Sequence, residues 1–154
     1  MQSPSLTLAD PPQTLLAIDP GRMNGIAIFH GRDVHWIGQV HIDDLPDYLF
    51  KFAEEHKGKE VQVVYENFKL MKGRALQQSG STMEASQVIG QVKMIASRHA
   101  WPIADQPPNV KPIAQKWSGV KPPSDHKMSH QVDAYNHGVY WLVKNGMRRI
   151  EDAT

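Results

Sequence analysis

An apolar run, Leu15-Leu16-Ala17-Ile18, breaks at Asp19-Pro20-Gly21 and resumes as Gly25-Ile26-Ala27-Ile28-Phe29. Two such runs across a tight turn read as hairpin-linked strands. Pro20 and Gly21 turn the chain immediately after a carboxylate, which leaves Asp19 at the mouth of the turn. A sheet built around residues 14–18 is therefore the frame into which the rest of the chain must fit. The spacing predicts further strands over 34–40, 61–65 and 101–104. The turn His30-Gly31-Arg32-Asp33 joins the second strand to the third.

Helical spacing appears between these strands. Leu45, Leu49, Phe52 and Ala53 predict a helix over 43–56, closed by Gly58. Val88, Val92, Ile95 and Ala96 form the apolar stripe of a second helix over 83–99, with Ser81 or Thr82 as its N-cap. Pro107, Pro108 and Pro112 bound a short helix over 110–117, and the last helix covers 126–144. Hairpins early and alternation later predict an α/β fold, a five-stranded mixed sheet flanked by helices on both faces. One domain over 14–145 is expected, with a flexible tail over 1–13 and a C-terminal tail over 146–154.

Composition excludes several chemistries. The chain has no cysteine, so disulfides, thiolate zinc sites and cysteine nucleophiles are ruled out. No apolar run approaches the roughly 20 residues of a membrane span, and residues 1–13 have no basic start or apolar stretch of a secretory signal. A cytoplasmic protein without membrane contact is the expectation. The net charge is only +1, but residues 1–68 carry 5 Lys/Arg against 10 Asp/Glu, and residues 69–127 carry 9 against 3. A basic middle in a near-neutral chain is either a nucleic-acid footprint or a solvated surface.

The acids point to phosphate chemistry. Asp19 ends the first strand and Glu66 follows the run Val61-Gln62-Val63-Val64-Tyr65. Asp133 lies on the last helix, three residues after His130. Carboxylates so far apart meet only through folding, and together they suit divalent metal ions acting on phosphate esters. His126, His130, Asp133 and His137 share one helix face. That face is either exposed or a source of ligands, and His130 with Asp133 is the favoured ligand pair. His126 is placed to touch a phosphate, and His137 reads as a satisfied core or surface histidine.

Ile18-Asp19-Pro20-Gly21 with Gly25-Ile26-Ala27, Tyr65-Glu66-Asn67-Phe68, and His130-Gln131-Val132-Asp133-Ala134 resemble the motifs of RuvC-type Holliday-junction resolvases of the RNase H-like superfamily. The resemblance spans about 14–142, in a divergent form suggesting a phage-type member. It implies cleavage of DNA by Asp19, Glu66, His130 and Asp133 with two Mg2+ or Mn2+ ions per site. It also implies a homodimer acting on a four-way junction, in a bacterial cell or phage-infected host. Many relatives carry Asp where this chain has His130, and an imidazole there favours manganese. Phe68 is then placed to stack on an opened base or to pack in the core. Lys69, Lys72, Arg74, Lys111, Lys116, Lys121 and Lys127 are candidates to grip phosphates.

Other readings stay open from sequence. One is a nuclease of the same fold acting on flaps, replication forks or RNA–DNA hybrids, and another is a non-catalytic junction-binding module. A factor acting on ribosomal RNA precursors would usually lack the acid at Glu66. A sugar-kinase or actin-type fold needs a second phosphate loop and a far longer chain.

Overall fold

The computed structural model describes residues 7–67, 79–120 and 129–153, with 79–82 and 153 as backbone alone. Five strands form one sheet: β1 (Thr14–Asp19), β2 (Met23–His30), β3 (Asp33–His41), β4 (Val61–Glu66) and β5 (Ile103–Gln106), in the order β3-β2-β1-β4-β5. The pairs β1–β2 and β2–β3 are antiparallel, while β1–β4 and β4–β5 are parallel. This is the mixed sheet with an antiparallel edge that the sequence predicts. The central strand β1 is buried along its whole length, as a strand with both faces covered must be.

Strand alternation sorts the core into two layers. Leu16, Ile18, Ile26, Ile28, Val61 and Val63 face one way and pack on α1 (Leu45–Glu55) and α2 (Ser79–Arg98). Leu49 and Phe52 of α1 and Val88, Val92 and Ala96 of α2 fill that layer. Leu15, Ala17, Ala27, Phe29 and Val64 face the other way, toward α4 (Ser129–Lys144) with its Ala134, Val139 and Leu142. Helix α3 (Val110–Ser118) lies on the same side against α4. Buried Ser118 Oγ donates to Asn136 Oδ1 at 3.0 Å, and Asn136 Nδ2 to the Val120 carbonyl at 3.2 Å, tying the two helices together.

Two glycines let α4 lie close on the sheet. A Cβ at Gly25 would sit 1.7 Å from the His130 carbonyl oxygen, and one at Gly138 would sit 2.2 Å from the Phe29 ring. At Gly25 the approach is backbone to backbone, which admits only glycine.

Some boundaries differ from expectation. Helix α2 is already helical at Ser79, so Ser81 and Thr82 lie inside it and do not cap it. Strand β5 begins two residues late, at Ile103, and Trp101 packs edge-on against Phe52 in the core. The described part of the N-terminal segment is tied down: Ala9 N–H donates to the Gly146 carbonyl at 2.9 Å, Arg32 Nη2 to the Ala9 carbonyl at 3.2 Å, and Pro12 is buried. Beyond α4, Arg148 donates to the carbonyls of Arg32 and Asp152, and Ile150–Ala153 form a short 3-10 helix. No helix among the described residues is long and apolar enough to cross a membrane.

Candidate active site

The sheet register places the acids. Ile18 pairs with Tyr65 across β1 and β4, so Asp19 and Glu66 end neighbouring parallel strands at one level. Asp19 alternates with Ala17 and Glu66 with Val64, so both carboxylates emerge on the α4 side. Glu66 pairs in turn with Gln106 at the end of β5, which puts that amide on the same face. Strand-end positions outside the carboxyl edge of parallel strands are where crevices form in such sheets.

Helix α4 delivers the other groups. Gly25 pairs with Asp19, and its missing side chain admits the first turn of α4 directly above it. His130 Nδ1 thereby lies 3.1 Å from Asp19 Oδ2. Asp133, one turn on, faces Lys111 Nζ at 3.6 Å. The turn after Asp19 is held by buried Asn24, whose Oδ1 accepts from Gly21 N–H at 3.0 Å and whose Nδ2 donates to the Val40 carbonyl at 3.0 Å.

Lys111 enters from the first turn of α3 and lies among the acids. Its Nζ is 3.1 Å from Glu66 Oε1 and 3.2 Å from Oε2, as well as 3.6 Å from Asp133. These groups, with Pro20, Asn67 and Ala85, line a cleft of about 250 Å3. Behind it, fully buried His137 brings Nε2 to 3.3 Å from Glu66 Oε2.

The electrostatics follow from this crowding. Burial raises Asp19, the His130 hydrogen bond pulls it back, and the adjoining Glu66 raises it again, leaving it at about 7. Burial acts upward on Glu66 too, but the adjoining His137 and Asp19 and the Lys111 charge outweigh it, bringing Glu66 to about 2. Asp19 and Glu66 thus titrate together, Asp19 pushed up and Glu66 pushed down. Burial also raises Asp133, and the bond to Asp19 raises His130. Burial opposes the charge on Lys111, yet Glu66, Asp133 and Asp19 hold it above the ordinary lysine range. Opposed shifts of neighbouring carboxylates in a cleft mark functional sites.

Of the residues singled out from sequence, Asp19, Glu66, His130 and Asp133 come together in this cleft. Lys111, expected as a phosphate grip, stands inside the acid cluster as its counter-charge. Lys116 is exposed on α3. Phe68, Lys69, Lys72, Arg74, Lys121, His126 and Lys127 lie outside the described residues. His137 is core, as one reading allowed, but it is core directed at Glu66. Asn24 and Gln106 were not foreseen. The spacing of His137 four residues after Asp133 was the available signal that it turns toward the acids.

No family model and no curated protein sequence matches the chain. Solved structures do. The chain is similar to Thermus thermophilus RuvC in complex with a Holliday junction substrate, with a TM-score of 0.58 at 12% identity over 86% of this chain and 95% of that one. A second Thermus thermophilus RuvC structure gives a TM-score of 0.55 at 14% identity over 87% and 97%. The fold is thus RuvC-like, an RNase H-like α/β fold in a divergent sequence.

Proposed function

We propose that the protein is a metal-dependent, structure-selective DNA endonuclease that resolves Holliday junctions by paired phosphodiester cleavage. The observation that carries this reading is the meeting of Asp19, Glu66, His130 and Asp133 in one cleft at the strand ends. The fold shared with junction-bound RuvC supports it.

Three carboxylates and one imidazole are a donor set suited to hard divalent cations, manganese more than magnesium because of the nitrogen. Among the described residues no three such groups close around an ion, and the Lys111 ammonium supplies the positive charge to Glu66 and Asp133 instead. Asp19, Glu66, His130 and Asp133 would hold the ions once Lys111 yields its place. Bound ions of this kind activate a water and neutralise charge building on the phosphate. The chain's own contribution is placement. Asp19 and Glu66 are fixed by strand register, His130 and Asp133 by the close seat of α4 over Gly25. His130 Nδ1 stands within hydrogen-bond reach of Asp19, which ties the imidazole to the strand-end carboxylate. Lys111, displaced from Glu66, carries a cation to the rim of the cleft, where a phosphate oxygen is its natural partner.

Paired cuts in a two-fold junction call for two sites facing opposite strands, and a C2 homodimer supplies them. Light scattering that gives a dimer mass, free or with junction DNA, supports this; a monomer mass in both contradicts it.

The direct test is nicking of a labelled four-way junction beside linear duplex, flap, fork and RNA–DNA hybrid substrates, with and without magnesium or manganese. The reading predicts metal-dependent symmetric cuts in the junction. Preferential cutting of another substrate moves the specificity elsewhere on the same chemistry. Binding of the junction without cleavage in any metal leaves a binding module.

A further inference from the structure

Behind Glu66 lie two buried polar residues that the proposed reaction does not use. Gln106 is 7% exposed and His137 is fully buried. Gln106 Nε2 lies 3.0 Å from the His137 carbonyl oxygen and 3.0 Å from His137 Nδ1. A carbonyl only accepts, so the Gln106 atom facing it is the amide nitrogen. The second hydrogen of that amide then points at Nδ1, which must offer a lone pair. A neutral imidazole with Nδ1 as acceptor carries its proton on Nε2. Nε2 is 3.3 Å from Glu66 Oε2, and the angle leaves its hydrogen bond incomplete in this arrangement. The orphaned Nε2–H is thus aimed at Glu66 within hydrogen-bond distance.

We propose that Gln106 and His137 form a buried donor pair that fixes the orientation of the Glu66 carboxylate from behind the cleft. The inference rests on the nuclease reading above for its effect on rate, but not for its geometry. Three elements converge on it. Register places Gln106 beside Glu66, α4 carries His137 four residues past Asp133, and Gln106 locks the ring. The donor is neutral, so it orients Glu66 without competing for its charge as Lys111 does. Carboxylates that bind metal ions are commonly oriented by hydrogen-bond partners behind them. The pair would engage Glu66 Oε2 and leave Oε1 to the cleft. His137 is a positioning residue.

Two measurements test this on the full chain. In 15N imidazole spectra, His137 should appear as the Nε2–H tautomer, and its Nε2 signal should move in Glu66→Gln. A second population with the proton on Nδ1 should appear in Gln106→Leu. In junction nicking, His137→Leu should lower kcat about 10- to 100-fold with KM unchanged. His137→Gln, whose amide reaches the Nε2 position, should recover most of the loss. An Nδ1–H tautomer in the unaltered protein overturns the proposal, as does an Nε2 signal indifferent to Glu66→Gln. A His137→Leu protein that cuts at the unaltered rate overturns it as well. Failure of His137→Gln to recover kcat, in a protein of normal melting temperature, assigns His137 a packing role and overturns the proposal. If the unaltered chain cuts no substrate, the nuclease reading fails by itself, and the tautomer spectra still decide the pair.

Discussion

Lys111 is the residue on which the charge balance of the cleft turns. Its ammonium touches both oxygens of Glu66 and approaches Asp133, and all three groups are largely withdrawn from water. Removing one partner from such a cluster leaves carboxylates facing each other without compensation. Lys111→Met should therefore destabilise the ion-free protein by about 1–3 kcal/mol at neutral pH. The sign with pH follows from Glu66. Its proton affinity is depressed in the folded chain, to about 2 from an ordinary 4.5. That stabilisation is present above the ordinary value and is lost as pH falls through the folded one. Urea unfolding should show the full gap between Lys111→Met and the unaltered protein at pH 7 and a smaller one at pH 3. A gap independent of pH would contradict the pairing. Asp19 behaves in the opposite sense. Burial first, with Glu66 beside it, raises it from 3.8 to about 7. Between those values the folded chain keeps a proton that the unfolded chain has lost, so Asp19 makes folding less favourable as pH rises. Asp19→Asn should accordingly raise the melting temperature at pH 8 and leave it little changed at pH 4. This is the exchange of stability for function that strained sites display. A lower melting temperature at pH 8 would show that Asp19 is a structural acid.

At the scale of elements, the site exists because α4 rests on β2 without an intervening side chain. Gly25 pairs with Asp19 and meets the His130 carbonyl. Gly25→Ala must lift the first turn of α4, and with it His130 and Asp133. Overpacking of a core costs about 1–3 kcal/mol, and a backbone clash this close belongs at the upper end. The expected outcome is a clear loss of melting temperature and loss of cleavage. An alanine variant that melts and cuts as before would mean that α4 does not sit as described. These elements were legible in the sequence to different degrees. Strands β1, β2 and β4 announce themselves through continuous apolar runs, and α1 through helical spacing. Strand β5 is four residues of weak pattern, Ile-Ala-Asp-Gln, so periodicity cannot position it. Its true frame brings Gln106 level with Glu66, which is why that partner was invisible. The place of Lys111 among the acids was hidden for a related reason: a lysine on a short helix looks like surface until the crossover from β5 brings it to Glu66 and Asp133.

For the whole molecule, the sheet order β3-β2-β1-β4-β5 decides what the chain offers a substrate. It sets β1 beside β4, so that two acids 47 positions apart in the sequence finish at one edge. Helices α1 and α2 cover one face, while α3 and α4 cover the other and lean over that edge. RuvC structures share this fold at 12% and 14% identity. Function rests on the site and not on the fold alone. The separation of chemistry from binding is therefore the critical property. Removing a carboxylate should disable cleavage while the basic residues still hold DNA. The most direct measurement is Glu66→Gln assayed in parallel for junction binding by mobility shift and for junction nicking with manganese. The account predicts near-normal binding and cleavage reduced below detection. Cleavage by Glu66→Gln at the unaltered rate would contradict it.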